Sequence, residues 1–314
     1  MENTKIAWSH HTHNEWIGCD KVSPACKNCY AEELMDHRFG RVNWGKGQPR
    51  SLTTLKNRNK PFAWDRQAAA AGTKIKVFCS SLSDVFDDDK TSPLDEWRKG
   101  LFEKIEKTPN LYWLLLTKRP QNVMDMVPAS WRSGFPEHVW LGASAENQEW
   151  LEKRMKHMRE IPVSVRFLSC EPLLGPLDFG QWLGDHDCHA CGKRFWGDSV
   201  RDRFIKSVDF TDHGGESALD TCPHCGYDNV DEEDATVGFD NLENEINWII
   251  AGGESGKFFR PMNMDWVRSI RDQCVSAKVP FFLKQTSGVK PEAEPELDGR
   301  RWIECPEDRF ALSV

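Results

Sequence analysis

Short apolar runs recur along the chain between longer stretches in which apolar positions return every three or four residues. The runs Lys5–Trp8, Ile75–Ser80, Leu111–Thr117, Val139–Gly142, Val165–Ser169, Asn247–Ala251 and Pro280–Leu283 are rich in β-formers, and most are apolar at successive positions. A strand covered on both faces carries that pattern, so the runs predict a parallel sheet of βαβ units rather than a sandwich. Helices are expected over 29–38, 93–107, 147–160 and 263–278. In the third, Trp150, Leu151, Met155 and Met158 form the stripe that a helix presents to a core. The predicted fold is α/β, a partial or complete (β/α) barrel.

Several runs end in small or polar residues: Ser80–Asp84, Thr117–Arg119, Gly142–Glu146, Ser169–Glu171, Gly252–Gly256 and Lys284–Gln285. In a barrel these C-terminal strand ends form one rim, where active sites assemble. Residues 184–245 interrupt the rhythm, with little apolar periodicity and two cysteine pairs. The expected organisation is a first barrel part over 1–183, a module over 184–245 inserted between the fifth and sixth strands, and the remaining barrel with a C-terminal extension over 246–314.

Composition refines this picture. A chain of 314 residues with 39% hydrophobic content can bury a substantial core. Its net charge of −8 is unevenly spread, because 184–245 holds 16 acidic and 5 basic side chains and the remainder carries an excess of three basic ones. The first residues lack the basic and apolar segments of a signal peptide, and no apolar run approaches the roughly 18 residues of a membrane span. A cytoplasmic protein without membrane association is expected. The 11 cysteines fall into two tight clusters plus Cys79, Cys170, Cys274 and Cys305, which points to metal ligation rather than a disulfide framework.

Cys19, Cys26 and Cys29 form C-x6-C-x2-C in a polar loop running into the helical pattern of Tyr30–Leu34. Three such thiolates can bind three irons of a four-iron cluster and leave the fourth open to an external ligand. A zinc site completed by His10, His11, His13 or His37 is the alternative. A third reading takes His11-Thr12-His13 as the metal site of a barrel hydrolase, although the fifth and sixth strand ends offer no further histidines.

The residues Trp8, His11, Asn14, Trp16-x-Gly18-Cys19, Ser23-Pro24 and Cys26-x-x-Cys29-Tyr30-Ala31 resemble the opening of a phage and bacterial family of uncertain function, known for a three-cysteine motif and grouped with the radical S-adenosylmethionine (SAM) barrels. The resemblance continues through Ser83-Asp84-Val85-Phe86, Leu116–Pro120, Trp140–Asn147, Ser169–Gly175, Gly252–Gly256 and Phe282-x-Lys284-Gln285, covering most of the chain outside the insertion. Around Cys26–Ala31 the chain is also similar to spore photoproduct lyase. It departs from the family opening at His13 and Glu15, where tryptophan and proline are common, and from the usual radical SAM spacing of C-x3-C-x2-C.

The resemblance implies a radical SAM-type barrel with a [4Fe-4S] cluster on Cys19, Cys26 and Cys29. Its open iron would chelate SAM, and an electron passed through it would yield a 5′-deoxyadenosyl radical for attack on a nucleic acid or nucleotide base. A reducing partner and a three-cysteine-motif partner protein are implied with it. By position on the rim, Ser83 and Asp84 are candidates for the SAM amino group, and Ser144 and Glu146 for its ribose. Gly252, Gly253 and Glu254 are candidates for close approach to adenine or substrate, and Lys118, Arg119, Glu171, Arg260 and Lys284 for substrate binding. Each is equally a turn, cap or surface residue on sequence grounds. No catalytic residue is assigned.

The second cluster, Cys188-x-x-Cys191-Gly192 and Cys222-x-x-Cys225-Gly226, has the two knuckles of a zinc ribbon, with four thiolates to close one Zn2+. Its acidic setting repels phosphate, which favours a structural, protein-contacting or lid role. Nucleic-acid contact is placed instead on Trp44–Trp64, where Lys46, Arg50, Lys56, Arg58 and Lys60 mix with aromatics including Phe62, with Arg66 just beyond; a solvated basic loop with core tryptophans is at least as good a reading of the same stretch. Three functions stand at this point: a radical SAM enzyme, a non-catalytic iron–sulfur and zinc protein binding nucleic acid or protein, and a metal-dependent barrel hydrolase.

Overall fold

The apolar runs assemble into one curled, seven-stranded parallel sheet, a half-barrel. In a computed structural model that describes residues 1–183 and 244–307, with the backbone of two further short strands, the sheet comprises β1 (His11–His13), β2 (Ile75–Cys79), β3 (Leu111–Thr117), β4 (Val139–Ser144), β5 (Val165–Cys170), β6 (Trp248–Gly252) and β7 (Phe281–Gln285). Each strand pairs with its sequence neighbour in parallel, as expected of successive βα units. Helices α1 (Lys60–Ala71), α2 (Leu94–Glu106), α3 (Gln148–Met158) and α4 (Met264–Ser276) lie on connections between strands.

Side-chain alternation sorts the strands into two cores. Val77, Cys79, Trp113, Leu115, Leu141, Ala143, Leu168, Cys170, Ile249 and Phe281 belong to the core that includes the helices. Phe78, Leu114, Trp140, Phe167, Trp248, Ile250 and Phe282 fill the other, concave face. The buried cysteines Cys79, Cys170 and Cys274 therefore serve as small hydrophobes.

One expected strand is corrected. Lys5–Trp8 is not paired; the first strand is His11–His13, beside β2. The reason is visible at Trp8, which turns into the concave core and meets Phe78 at 4.6 Å and Trp248 at 6.2 Å between ring centroids. The apolar run is a plug. The helix expected over 29–38 is α-helical only at Tyr30–Glu32 and continues as a π-helix over Glu33–Arg38, while α1, hidden in a stretch read as a loop, was not anticipated.

The segment expected as an insertion leaves the described residues after β5 and rejoins them before β6. The Trp182 carbonyl accepts from the Glu245 amide at 3.0 Å, so exit and re-entry adjoin. The strands His186–Asp187 and Arg194–Phe195 pair antiparallel and bracket the first cysteine pair in sequence. Cys188, Cys191, Cys222 and Cys225 lie outside the described residues. Among the described residues no helix is long and apolar enough to cross a membrane.

Gly142 on β4 shows how tightly the concave face is filled, because a Cβ there would lie 2.3 Å from the Phe167 ring. Gly142→Ala is expected to lower stability by about 1–3 kcal/mol, the usual cost of overpacking. Denaturant unfolding checks it, and Gly142→Ala with Phe167→Leu should cost less than the sum of the two changes.

Candidate functional site

The C-terminal ends of the strands and the cysteine loop enclose one cavity of about 900 Å³. Cys19, Cys26 and Cys29 line it together with Thr12, Ser80, Ser83, Asp84, Lys118, Arg119, Ser144, Ser169, Glu171, Gly253, Glu254 and Lys284. Of the expected site residues in the described parts, Glu146, Gly252 and Arg260 are not in its lining, and each instead touches a residue that is.

The loop is tied to four strand ends. From β2's end, the Ser81 carbonyl accepts from the Tyr30 hydroxyl at 2.6 Å. Beyond β3, Arg119 donates to Cys19 Sγ at 3.5 Å and binds Asp20 and Asp84. Beyond β4, Glu146 Oε1 accepts from the Ala25 amide at 3.2 Å while Arg154 holds its other oxygen. Beyond β6, Glu254 Oε2 accepts from Asn28 at 2.9 Å and pairs with Arg260.

These contacts revise several expected roles. Asp84 is fully occupied: it accepts from Thr117 Oγ1 at 2.7 Å and from the amides of Phe86 at 3.0 Å and Lys118 at 2.9 Å, besides Arg119. Burial disfavours its ionisation, but Arg119 and these donors hold its carboxyl below the ordinary range. Glu146 and Glu254 are likewise lowered, against burial, by Arg154 and Arg260 respectively. The three carboxylates therefore support the loop, Asp84 through Arg119 and Glu146 and Glu254 directly, while Asp84 and Glu254 also line the cavity. The glycines also have local reasons: a Cβ on Gly252 would press on Glu171, and one on Gly253 would fall 2.3 Å from the Ser287 backbone.

What remains available is narrower. Ser144 Oγ, Glu171 Oε1 and Thr12 Oγ1 are buried without a hydrogen-bond partner, and all three residues line the cavity. Ser144 stands opposite Ser169 in the β4–β5 register. The second oxygen of Glu171 pairs with Lys284 at 2.8 Å. Trp8 Nε1 is a fourth such atom on the cavity's lining, and because buried polar atoms are normally satisfied, these orphans mark where a polar ligand would bind.

The Cys19 and Cys29 thiols are not activated nucleophiles. Burial pushes Cys19 up to about 12 against the pull of Arg119, and burial also raises Cys29, opposed by the Glu32 amide and Lys118. A nucleophilic cysteine needs the opposite shift, whereas a metal displaces the proton outright. Among the described residues, the ligand-type side chains converging within 4.8 Å in a set of three are Cys19, Asp20 and Asp87. Arg119 binds Asp20, and Arg50 Nε lies 2.8 Å from Asp87, so a cation there would meet two guanidiniums.

The histidines offered for zinc or for hydrolysis are engaged elsewhere. His10 Nδ1 accepts from the Lys76 amide at 2.9 Å, and His37 is exposed beside Glu33. His11 and His13 sit opposite Val77 and Cys79, on the helix-facing side of β1, with rings against Trp64 and Trp113. Thr12 between them faces the concave side, opposite Phe78, and His13 also contributes to the cavity's lining. Among the described residues Cys19, Cys26 and Cys29 do not bring three ligand atoms within 4.8 Å of one another, with or without a histidine.

His13 and Glu15, the two departures from the family opening, form one buried unit: Nε2 to Oε2 is 2.9 Å, with Lys104 on the same oxygen. Burial lowers His13 from 6.5 to about 4, opposed by its bond to Glu15. Between those values the unfolded chain binds a proton that the folded chain refuses, so stability is expected to fall as pH drops from 6.5 to about 4. Urea midpoints across that window test it, and His13→Phe should flatten the drop.

The basic, aromatic stretch also changes meaning. Trp64 is buried in the helix-facing core, Arg50 is buried against Asp87, and Arg58 is tied to the Thr53 carbonyl at 3.0 Å. These residues do not form a continuous strip for a nucleic-acid backbone.

A family described as "Protein of unknown function (DUF5131)" matches residues 3–306 of the chain. No curated protein and no solved structure matches it.

Proposed function

This chain belongs to the DUF5131 family, and from the cavity just described we propose that it is a radical SAM-type iron–sulfur enzyme acting on a nucleic acid or nucleotide base. The observation that carries the reading is the cysteine loop itself, fixed by the protein across the mouth of a parallel half-barrel, with orphaned polar atoms sharing its cavity. Cys19, Cys26 and Cys29 would hold a [4Fe-4S] cluster. Such a cluster, when bound, supplies the electron that cleaves SAM to methionine and a 5′-deoxyadenosyl radical.

The chain's own residues orient and exclude. Trp8 and the aromatic floor close the cavity from below and keep water out. Glu171 Oε1 is placed to accept from an amino or hydroxyl group, and Ser144 Oγ to donate or accept beside it. Lys118, which makes no ion pair among the described residues, lines the cavity near Cys29 and supplies a counter-charge for a carboxylate. Arg119 steadies Cys19 and its neighbours through charge-assisted bonds. The insertion's four cysteines we assign to a separate structural zinc.

Anaerobically reconstituted, reduced protein is expected to form 5′-deoxyadenosine and methionine from SAM, slowly even without substrate. Chromatography of the reaction decides it. A normal cluster whose spectrum SAM leaves unchanged, with no 5′-deoxyadenosine across nucleic-acid substrates, would instead identify a binding protein with a structural cluster.

A further inference from the structure

The cavity's charges are unequally compensated. Its acidic lining residues Asp20, Asp84, Glu171 and Glu254 each have an arginine or lysine partner. Of its basic ones, Lys5, Arg41, Lys60 and Lys118 make no ion pair among the described residues. In a chain of net charge −8, the uncompensated charge at this mouth is positive. That favours a polyanion.

Two exposed aromatics adjoin residues of that lining, Phe258 next to Asn28 and Phe39 next to Arg41. Phe258 is 72% exposed, with Lys257 Nζ 5.4 Å from its ring centroid, and its carbonyl accepts from Asn28 of the cysteine loop at 2.7 Å. Phe39 is 50% exposed, follows the π-helix that leaves the cysteine loop, and carries Arg38 and Arg41 at 5.4 and 5.5 Å from its ring. An exposed ring beside a cation is a poor fit to water but a good platform for a base with its phosphate alongside.

We propose that this mouth binds a single-stranded nucleic acid, with Phe39 and Phe258 stacking bases and Lys5, Arg41 and Lys60 taking backbone phosphates, so that an adjoining nucleotide enters the cavity. The proposal deepens the enzymatic reading and rests on it for the role of the cavity. A duplex hides the base faces that the two phenylalanines would stack on, and chemistry on a base requires it out of the stack.

Fluorescence anisotropy with a short labelled oligothymidylate, without SAM or reductant, tests binding separately from catalysis. The expected result is salt-dependent binding with a slope of about −0.7 for each phosphate contacted, weaker for the same oligonucleotide in duplex form. Combined Lys5→Gln, Arg41→Gln and Lys60→Gln should flatten that slope by about 2. Phe39→Ala and Phe258→Ala should each weaken binding about tenfold at unchanged slope. Inorganic polyphosphate should compete weakly and be indifferent to the phenylalanine changes. All five side chains are partly or fully exposed, so thermal midpoints should stay at the wild-type value. The proposal is overturned if the oligonucleotide does not bind, if duplex binds as well as single strand, or if the phenylalanine variants bind like wild type. None of these outcomes alters 5′-deoxyadenosine formation in the absence of substrate, so the two readings fail separately.

Discussion

Alanine at Cys19, Cys26 or Cys29 is expected to abolish a brown chromophore of about four irons per chain, the largest single effect of any change in this protein. The three sulfurs share one cavity but reach it from different parts of the loop: Cys19 beside Arg119, Cys26 in the Pro24–Cys26 turn, Cys29 at the start of the Tyr30–Glu32 helix. No other described cysteine can replace one of them, because Cys79, Cys170 and Cys274 face the helix-side core and Cys305 lies against Lys76. Iron analysis and the absorption spectrum after anaerobic reconstitution measure the loss. The folded barrel should survive, since the loop's ties to Ser81, Glu146 and Glu254 do not pass through sulfur. Zinc rather than iron in the reconstituted wild type would defeat the assignment.

Arg119→Met is expected to be the most damaging change to stability. The guanidinium is 3% exposed and faces Asp84, Asp20 and Asp87 at once. Breaking a buried pair from one side leaves the opposing carboxylate without compensation, at a cost of about 3–5 kcal/mol. For a chain of this size that lowers the melting temperature by about 10 °C. Arg119→Lys keeps the charge but loses the fork that reaches three carboxylates, so it should fall between. Adding Asp84→Asn to Arg119→Met should recover part of the loss, because it removes the stranded charge. Equal melting temperatures for Arg119→Met and wild type would show that the network contributes nothing.

The half-barrel was legible because strands buried on both faces are apolar throughout, and six of the seven runs lie in the sheet within two residues of their predicted limits. Lys5–Trp8 misled for a physical reason: a segment that buries one tryptophan in a concave face has the same apolar signature as a short strand. The rim was legible as a class of positions, since polar residues at successive strand ends converge wherever parallel strands curl together. Individual roles were not. Spacing cannot tell whether Asp84, Glu146 or Glu254 faces a ligand or another part of the chain, and all three turned out to be bound by nearby arginines. Phe39 and Phe258 carried no sequence signal either, because exposure of an aromatic depends on what the fold leaves uncovered.

The anchoring of the cysteine loop has a consequence for repair. Its ties to the barrel run through Tyr30, Asn28, the Ala25 amide and their oxygen partners, none of them a cysteine sulfur. On the proposed reading, a chain stripped of its cluster by oxygen would keep the receptacle open and would be recharged by an iron donor without passing through an unfolded state, unlike small domains that fold only around their ion.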